Sequence, residues 1–288
     1  MEKVAFVILH YNVPETTRQC VASVRALKCR VIKKIVIVDN GSPDGSGRIL
    51  AADYAKDPDI TVILTEKNLG FAKGNNVGYQ YAREQLGADL IVVTNNDILF
   101  LQKDFISKLE CLQAEVVGPD IVTRSDEHQN PFREAAYTLP DIRRVMRNKR
   151  VFLLYFYLKK YLHLEQRIYI LENMFEKKSK RRRASIDWEK CQYDIVLQGA
   201  CLVFMPGFVK NELCAFCPDT FMYGEEDILS FICQKKGYKM MYCPEIQVLH
   251  LEGKATKERF RKSVEKEIFI YKHTLMSLKI LKRMLIDK

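Results

Sequence analysis

Apolar runs alternate with amphipathic stretches over the first hundred residues. Val4 to Tyr11 (VAFVILHY) is continuously apolar, the pattern of a strand buried on both faces. Pro14 to Leu27 follows with helical spacing, Pro14 falling near the first turn. Lys33 to Ser42 (KKIVIVDNGS) reads as a second buried strand ending in a polar turn. Ser46 to Tyr54 reads as a helix and Ile60 to Glu66 (ITVILTE) as a third strand. Lys73 to Leu86 reads as a helix, and Ala88 to Asp97 (ADLIVVTNND) as a fourth strand. This alternation predicts a parallel, doubly wound α/β sheet. Polar groups follow each strand: Tyr11-Asn12, Asp39-Asn40, Asn68-Leu69-Gly70 and Asn95-Asn96-Asp97. Strand carboxyl ends share one edge in such a sheet, so the four clusters are expected to converge on one crevice.

The pattern changes after about residue 140. Residues 141–183 read as long basic helices with Leu, Tyr and Phe interleaved. The α/β texture returns over Tyr193 to Met205 and ends with Ile246 to Leu251, and Glu258 to Lys288 reads as a basic amphipathic helix or pair. The charge follows this division. Of the net +10, residues 143–183 carry +11 and residues 254–288 carry +7, which leaves −8 for the rest. A uniformly basic chain would suggest nucleic acid; an acidic body with two basic attachments suggests a catalytic core with separate docking elements.

The nine cysteines are odd in number and scattered. Cys214 and Cys217 form a CxxC, but Pro218 follows and no second pair stands at zinc-ribbon spacing, so reduced thiols in a cytoplasmic protein are expected. The N-terminal residues lack a long apolar region and a small-residue cleavage site, and do not read as a signal peptide. No apolar run approaches the roughly 20 residues that span a bilayer. The longest, Val151 to Leu158, is bracketed by Arg150 and Lys159. The chain is expected to lie on a membrane rather than cross one.

Three segments carry candidate chemistry. Asn95-Asn96-Asp97 closes an apolar strand, where a carboxylate can hold a hard divalent cation against a diphosphate, or simply form a turn. Asn68 to Gly78 (NLGFAKGNNVG) has glycines for close backbone approach and amides at a helix start; a tightly packed helix cap is the plainer alternative. Asp39 precedes Asn40-Gly41-Ser42. Its carboxylate suits the imide N–H of uracil or thymine, or backbone donors in an Asx turn, the better reading in isolation.

Together VAFVILHYN, IVIVDNGS, NLGFAKGNNVG, VVTNND, QGACLVF, FMYGEEDILSFICQKKGYK and VLHLEG resemble the family 2 glycosyltransferases of GT-A fold. The series is most similar to the bacterial rhamnosyltransferase-like branch, over about residues 1–120 and 193–253. The resemblance implies a Rossmann-like, mostly parallel mixed sheet flanked by helices, with a basic helical insert and C-terminal helices. It implies that Tyr11, Asn12, Asp39, Asn40 and Ser42 contact the base and ribose of a nucleoside diphosphate sugar. Asn68, Gly70, Phe71 and Asn75 would line the same pocket. Asn95, Asn96 and Asp97 match the family's DxD position, with Asn at the first place, so Asp97 is the anionic ligand there for Mg²⁺ or Mn²⁺. His250 matches a late histidine that completes the metal or diphosphate site. Gln198 and the Gly199 backbone fall near donor sugar and acceptor.

By the same resemblance an acid pair starting a helix supplies the base. Alignment places Glu225-Glu226 there, making Glu226 the base, while Glu226-Asp227 is the alternative pair. Consecutive acids on a helix point about 100° apart, so one of the three should face the sugar. Crowded carboxylates raise one another's pKa values, as suits a base near neutrality; acids are also favoured at a helix start by its dipole. The implied activity is inverting, metal-assisted transfer from a UDP- or dTDP-sugar, dTDP-rhamnose among them, to a saccharide acceptor. That acceptor would be lipid-linked, in cell-surface polysaccharide synthesis.

Trp188, the single tryptophan, suits core packing or stacking on a sugar face. The basic insert and tail suit an interfacial helix on anionic lipid at the inner face of the plasma membrane. A lid or oligomer contact is the alternative, and no nucleic-acid module is present. Two rival functions remain: a sugar-phosphate nucleotidyltransferase, disfavoured because HYNVPETT stands where a Gly-rich loop belongs, and a non-catalytic membrane-binding protein on a degenerate transferase fold. The expected plan is a catalytic domain over 1–253, with a donor-binding half (1–120), the basic insert (141–190) and an acceptor and base half (191–253). Basic helices over 254–288 complete it.

Overall fold

The computed structural model describes residues 1–161, 187–252 and 264–287. The basic run Lys177 to Arg183 and the beginning of the expected tail helix lie outside the described residues. The first four strands are β1 (Lys3–His10), β2 (Ile32–Asp39), β3 (Ile60–Leu64) and β4 (Leu90–Asn95). Between them run α1 (Pro14–Arg25), α2 (Ser46–Asp53) and α3 (Gly70–Glu84). Beyond β4 come β5 (Ile98–Leu99), α4 (Phe105–Leu109), β6 (Val116–Thr123) and α5 (Leu139–Tyr161). β7 (Gln192–Tyr193), β8 (Cys201–Phe204), α6 (Pro206–Asn211), α7 (Glu225–Lys236), β9 (Met240–His250) and α8 (Val264–Ile286) complete the order.

The described strands form one sheet in the order β3-β2-β1-β4-β8-β6-β9-β5, with β7 also paired to β9. The ladders β1–β2, β2–β3, β1–β4 and β6–β9 are parallel. The shorter ladders β4–β8, β6–β8, β5–β9 and β7–β9 are antiparallel. By residues paired, the sheet is therefore mostly parallel but mixed, as expected. Its register puts His10 beside Asp39 and Leu9 beside Asn95, so the polar ends of β1, β2 and β4 meet at one edge.

Side-chain alternation divides the core by sheet face. Phe6, Ile8, Ile35 and Ile37 pack with Cys20, Val21 and Val24 of α1, Leu50 of α2 and Phe105 of α4. Ala5, Val7, Val36 and Val38 pack on the other face with Tyr79 of α3, Phe208 of α6 and Leu229 of α7. A Cβ on Gly78 would stand 2.4 Å from Val7 Cγ1, so glycine there lets α3 lie directly on β1. A third core joins Ile142 and Met146 of α5, Ile228 and Phe231 of α7, and Leu275, Leu278 and Leu281 of α8. The described part of the basic insert and the tail helix thus clamp together over the helix that begins with the three acids.

Strand β6 has no counterpart among the expected elements. Gly118-Pro119 interrupts its apolar run, and the sheet accommodates the break by a register shift against β9 between Pro119 and Asp120. No described helix is long and apolar enough to cross a membrane.

Candidate active site

The turn leaving β1 sets the first part of the site. Asn12 and Val13 both hold left-handed backbone, at φ 57° and 55°. For a β-branched valine this is a strained conformation, and such strain gathers where a ligand must be met. Tyr11 is 45% exposed beside it. The Asn12 N–H donates to Ser42 Oγ at 2.9 Å, while its buried Oδ1 has no hydrogen-bond partner among the described residues. A buried acceptor left empty is costly unless a ligand donor fills it.

Asp39 is drawn inward. Its Oδ1 accepts from the Ser42 hydroxyl at 2.5 Å and from the Ser42 N–H at 3.3 Å. A Cβ on Gly47 would lie 2.0 Å from its Oδ2, so the carboxylate sits directly on the first turn of α2. The turn-forming alternative for Asp39 is thus realised. Buried His10 reaches Thr17 Oγ1 at 2.7 Å, Ser46 Oγ at 2.9 Å and Asp39 at 4.0 Å, and burial lowers its pKa.

The next residues hold one another. Asn40 Oδ1 accepts the Leu69 N–H at 2.9 Å, and its Nδ2 donates to Gly70 O at 3.1 Å and Asn68 Oδ1 at 3.3 Å. Asn68 Oδ1 also accepts the Gly70 N–H at 2.8 Å. The Phe71 N–H donates to Phe221 O at 2.7 Å, and its ring packs on Phe216. Asn75 is fully buried, donating to Phe71 O at 2.9 Å, and its Oδ1 has no partner among the described residues. Asn40 and Asn68 therefore spend their side chains on local bonds around Gly70, while Asn75 keeps one acceptor open.

The end of β4 carries the candidate cation ligands. Asp97 Oδ2 lies 3.2 Å from His250 Nε2, both side chains partly exposed. Gln129 decides the state of that imidazole. Its Nε2 donates to Glu252 Oε1 at 3.1 Å, which turns its Oε1 toward His250 Nδ1 at 2.7 Å. His250 Nδ1 therefore gives its proton to Gln129, which leaves Nε2 facing a carboxylate oxygen. Two lone-pair donors so opposed are stable with a proton or a cation between them, and a second residue fixing the tautomer is the usual support of a metal-bound histidine. These residues fit a divalent cation. No cluster of three or more His, Cys, Asp or Glu side chains suited to a metal occurs among the described residues, so amides, phosphate oxygens or water would complete the shell. Asn96 Nδ2 instead donates to Thr17 Oγ1 at 3.0 Å.

Two successive residues connect this edge to the acids. The Asn95 N–H donates to Ala200 O at 2.9 Å. The preceding Gly199 lies against Glu226, where a Cβ would stand 2.9 Å from Oε1, and its N–H favours the charged carboxylate. The Gln198 N–H is anchored on Asn130 Oδ1 at 2.9 Å, and its own Oε1 accepts the Gly199 N–H at 3.1 Å. Tyr223 and Gly224, at φ 68° and 98°, turn the chain into α7.

The three acids have separate environments. Glu225 is 2% exposed with one oxygen unpaired among the described residues, and burial, then the charge of Glu226, pushes it up to about 7. Asp227 forms an ion pair with Arg133, whose guanidinium stacks on Tyr137 at 3.7 Å. Burial raises Asp227, opposed by Arg133 and Lys149. Glu226 is opposed differently. Burial raises it and the charge of Asp227 adds to that, while N–H groups of α7's first turn and of Gly199, rather than a cation, pull it down. Of the alternatives Glu226 and Asp227, only Glu226 is turned to the loop beside β4.

Arg133, Gln129 and Asn130 were not singled out in the sequence. They lie in a stretch without periodicity, and HQNPFR carries no signal beyond its polar residues. Trp188 is 42% exposed and stacks on His128 at 3.7 Å, which replaces the core packing expected of it. Cys214 and Cys217 are both free thiols.

Residues 5–171 match the family model described as Glycosyl transferase family 2. No curated protein matches the chain. Among solved structures, GalNAc-T7 with UDP, GalNAc and Mn²⁺ is similar at 13% identity and TM-score 0.55, over 87% of this chain and 44% of that one. The chain thus spans less than half of that relative. TarS 1–349 of S. aureus is similar at 13% identity and TM-score 0.50, over 98% and 71%. The mannosyltransferase PcManGT from Pyrobaculum calidifontis, with GDP-Man and Mn²⁺, is similar at 15% and 0.50, over 99% and 72%. At these identities the likeness establishes the fold: a mixed α/β sheet flanked by helices, of GT-A type.

Proposed function

The chain belongs to glycosyl transferase family 2, and from that premise we propose that it transfers a sugar from a nucleoside diphosphate donor to a saccharide acceptor with inversion. The observation that carries the reading is the short bridge at the sheet edge. The Asn95 N–H holds Ala200 O while the adjacent Gly199 lies against Glu226, so a short run of chain links that carboxylate to the strand end that carries Asp97, which supports Glu226 as the base beside an Asp97–His250 cation site.

The exposed Tyr11 ring offers a stacking face for the base, and the unfilled Asn12 Oδ1 accepts an imide N–H or a ribose hydroxyl. A pyrimidine donor, UDP- or dTDP-linked and rhamnosyl among the sugars, agrees with the motif series. Asp97 and His250 would hold Mg²⁺ or Mn²⁺, which neutralises charge on a departing diphosphate. Glu226 takes the proton from the acceptor hydroxyl on the face opposite the leaving group, so one displacement inverts the anomeric centre. Its raised pKa makes it a stronger base than an ordinary carboxylate. Arg133 keeps Asp227 ionised, and that charge helps raise Glu226. The acceptor is proposed to be lipid-linked, in surface polysaccharide synthesis on the cytoplasmic leaflet.

Thermal-shift screening with UDP-, dTDP- and GDP-sugars and Mn²⁺ identifies the donor, because binding raises apparent stability by mass action. Glu226→Gln should keep that shift and lose about 10²- to 10⁴-fold in transfer rate. Full transfer by this variant would remove Glu226 from the role of base.

A further inference from the structure

Helices α5 and α8 run antiparallel: Lys160 pairs with Glu265 at 3.3 Å, while Ile142 and Met146 share a core with Leu275, Leu278 and Leu281. Each has one face in that core, and each keeps a second, outward row. On α5 the row is Val151, Leu154, Leu158 and Tyr161, exposed by 63%, 60%, 48% and 72% and spaced three, four and three residues apart. On α8 it is Met276 and Ile286, interleaved with exposed Lys272, Lys279 and Arg283, while the Phe269 ring packs on Phe221 and Tyr223. A single row of large apolar side chains in water is unusual on a monomeric protein and marks an interaction surface.

The charges say what kind. The exposed positions of the two helices include eight lysines and arginines and one carboxylate, Glu265, which already pairs with Lys160. We propose that this outward face of α5 and α8 docks on an anionic lipid surface, the apolar rows entering the headgroup boundary and the cations meeting phosphate. Apolar residues flanked by lysine and arginine on one helical face are what such a boundary binds. A second copy of the same face would bring like charges together. Nucleic acid would satisfy the cations but leave Val151, Leu154 and Leu158 in water, since aliphatic side chains give no stacking platform. Docking through these helices leaves α7, with its acids, one helix layer above the lipid, where a membrane-tethered acceptor reaches it.

Flotation of the full chain on vesicles tests this without depending on catalysis. Binding is expected on phosphatidylcholine vesicles containing phosphatidylglycerol, with steep loss as salt is raised. Leu154→Asp with Leu158→Asp, and separately Lys272→Glu with Lys279→Glu, should each weaken binding at least about tenfold. These positions are exposed, so circular dichroism and any donor-induced thermal shift should be unchanged. Absence of binding to the anionic vesicles, or undiminished binding by both double variants, would overturn the proposal. So would a stable dimer that the Leu154/Leu158 double variant dissociates, since the face would then belong to a second copy.

Discussion

Glu225 couples the stability of the fold to pH. Its side chain is 2% exposed, and burial together with the charge of Glu226 raises its carboxyl from 4.5 to about 7. Unfolding returns it to the ordinary value. Between those two values the folded chain binds more protons than the unfolded one, so stability falls as pH rises. The sign is that of any carboxyl raised by folding: its contribution is fully present below 4.5 and is lost as pH climbs through about 7. A tenfold change in proton affinity is worth about 1.4 kcal/mol, so keeping Glu225 ionised costs about 3 kcal/mol by about pH 8.

Glu225→Gln keeps the shape and abolishes the titration. The new amide has a packing cost of its own, but that cost does not vary with pH. The variant's melting temperature relative to wild type should therefore climb by roughly 6 °C between about pH 5 and about pH 8, taking about 2 °C per kcal/mol for a chain of this size. Scanning calorimetry at constant ionic strength measures it. In a Glu226→Gln background the climb should shrink, because the second cause of the raised pKa is gone. A difference that stays flat across the range would refute the reasoning.

Three further outcomes follow from single contacts. Arg133→Gln leaves Asp227 buried with Lys149 as its remaining cation; the loss should be about 2 kcal/mol, below the range for fully buried pairs because a quarter of the Arg133 side chain is exposed. Adding Asp227→Asn should restore most of it in urea denaturation, and a coupling near zero would mean the pair does not hold. Gly199→Ala puts a methyl 2.9 Å from Glu226 Oε1, so transfer should slow about ten- to a hundredfold while calorimetric donor affinity holds; loss of donor affinity instead would place Gly199 in the donor pocket. Gln129→Leu frees the His250 ring, and the Mn²⁺ concentration for half-activation should rise about ten- to a hundredfold; an unchanged value would separate His250 from the metal.

What could be read beforehand depended on the range over which a pattern operates. β1 to β4 are continuous apolar runs between amphipathic helices, so strand, helix and shared edge were all legible from local periodicity. Strand β6 was not, because Gly118-Pro119 reads as a break and the ladder tolerates it by shifting register against a strand more than a hundred residues away. The same applies to the site. Asp39 and Ser42 form a contact three residues long, and the turn was foreseeable. Arg133 meets Asp227 across 94 residues of sequence, and nothing near either position announces the other. That contact turns Asp227 to Arg133, while Glu226 lies against Gly199.

The division of charge has a structural expression that composition alone does not give. An acidic body and basic attachments would be independent parts if a linker joined them. Here Ile228 and Phe231, on the helix that begins with Glu225, Glu226 and Asp227, share a core with Ile142 and Met146 of α5 and with Leu275 and Leu278 of α8. Lys149 of α5 acts on Asp227 from the same side and stacks on Tyr271 of α8 at 4.9 Å. A close-packed core transmits displacement rather than absorbing it. A surface that repositions α5 and α8 therefore also bears on the acids of α7, and the basic helices cannot be removed without exposing Ile228 and Phe231. Deleting α8 should accordingly lower stability and transfer together, whereas the exposed-row variants should reduce surface binding alone.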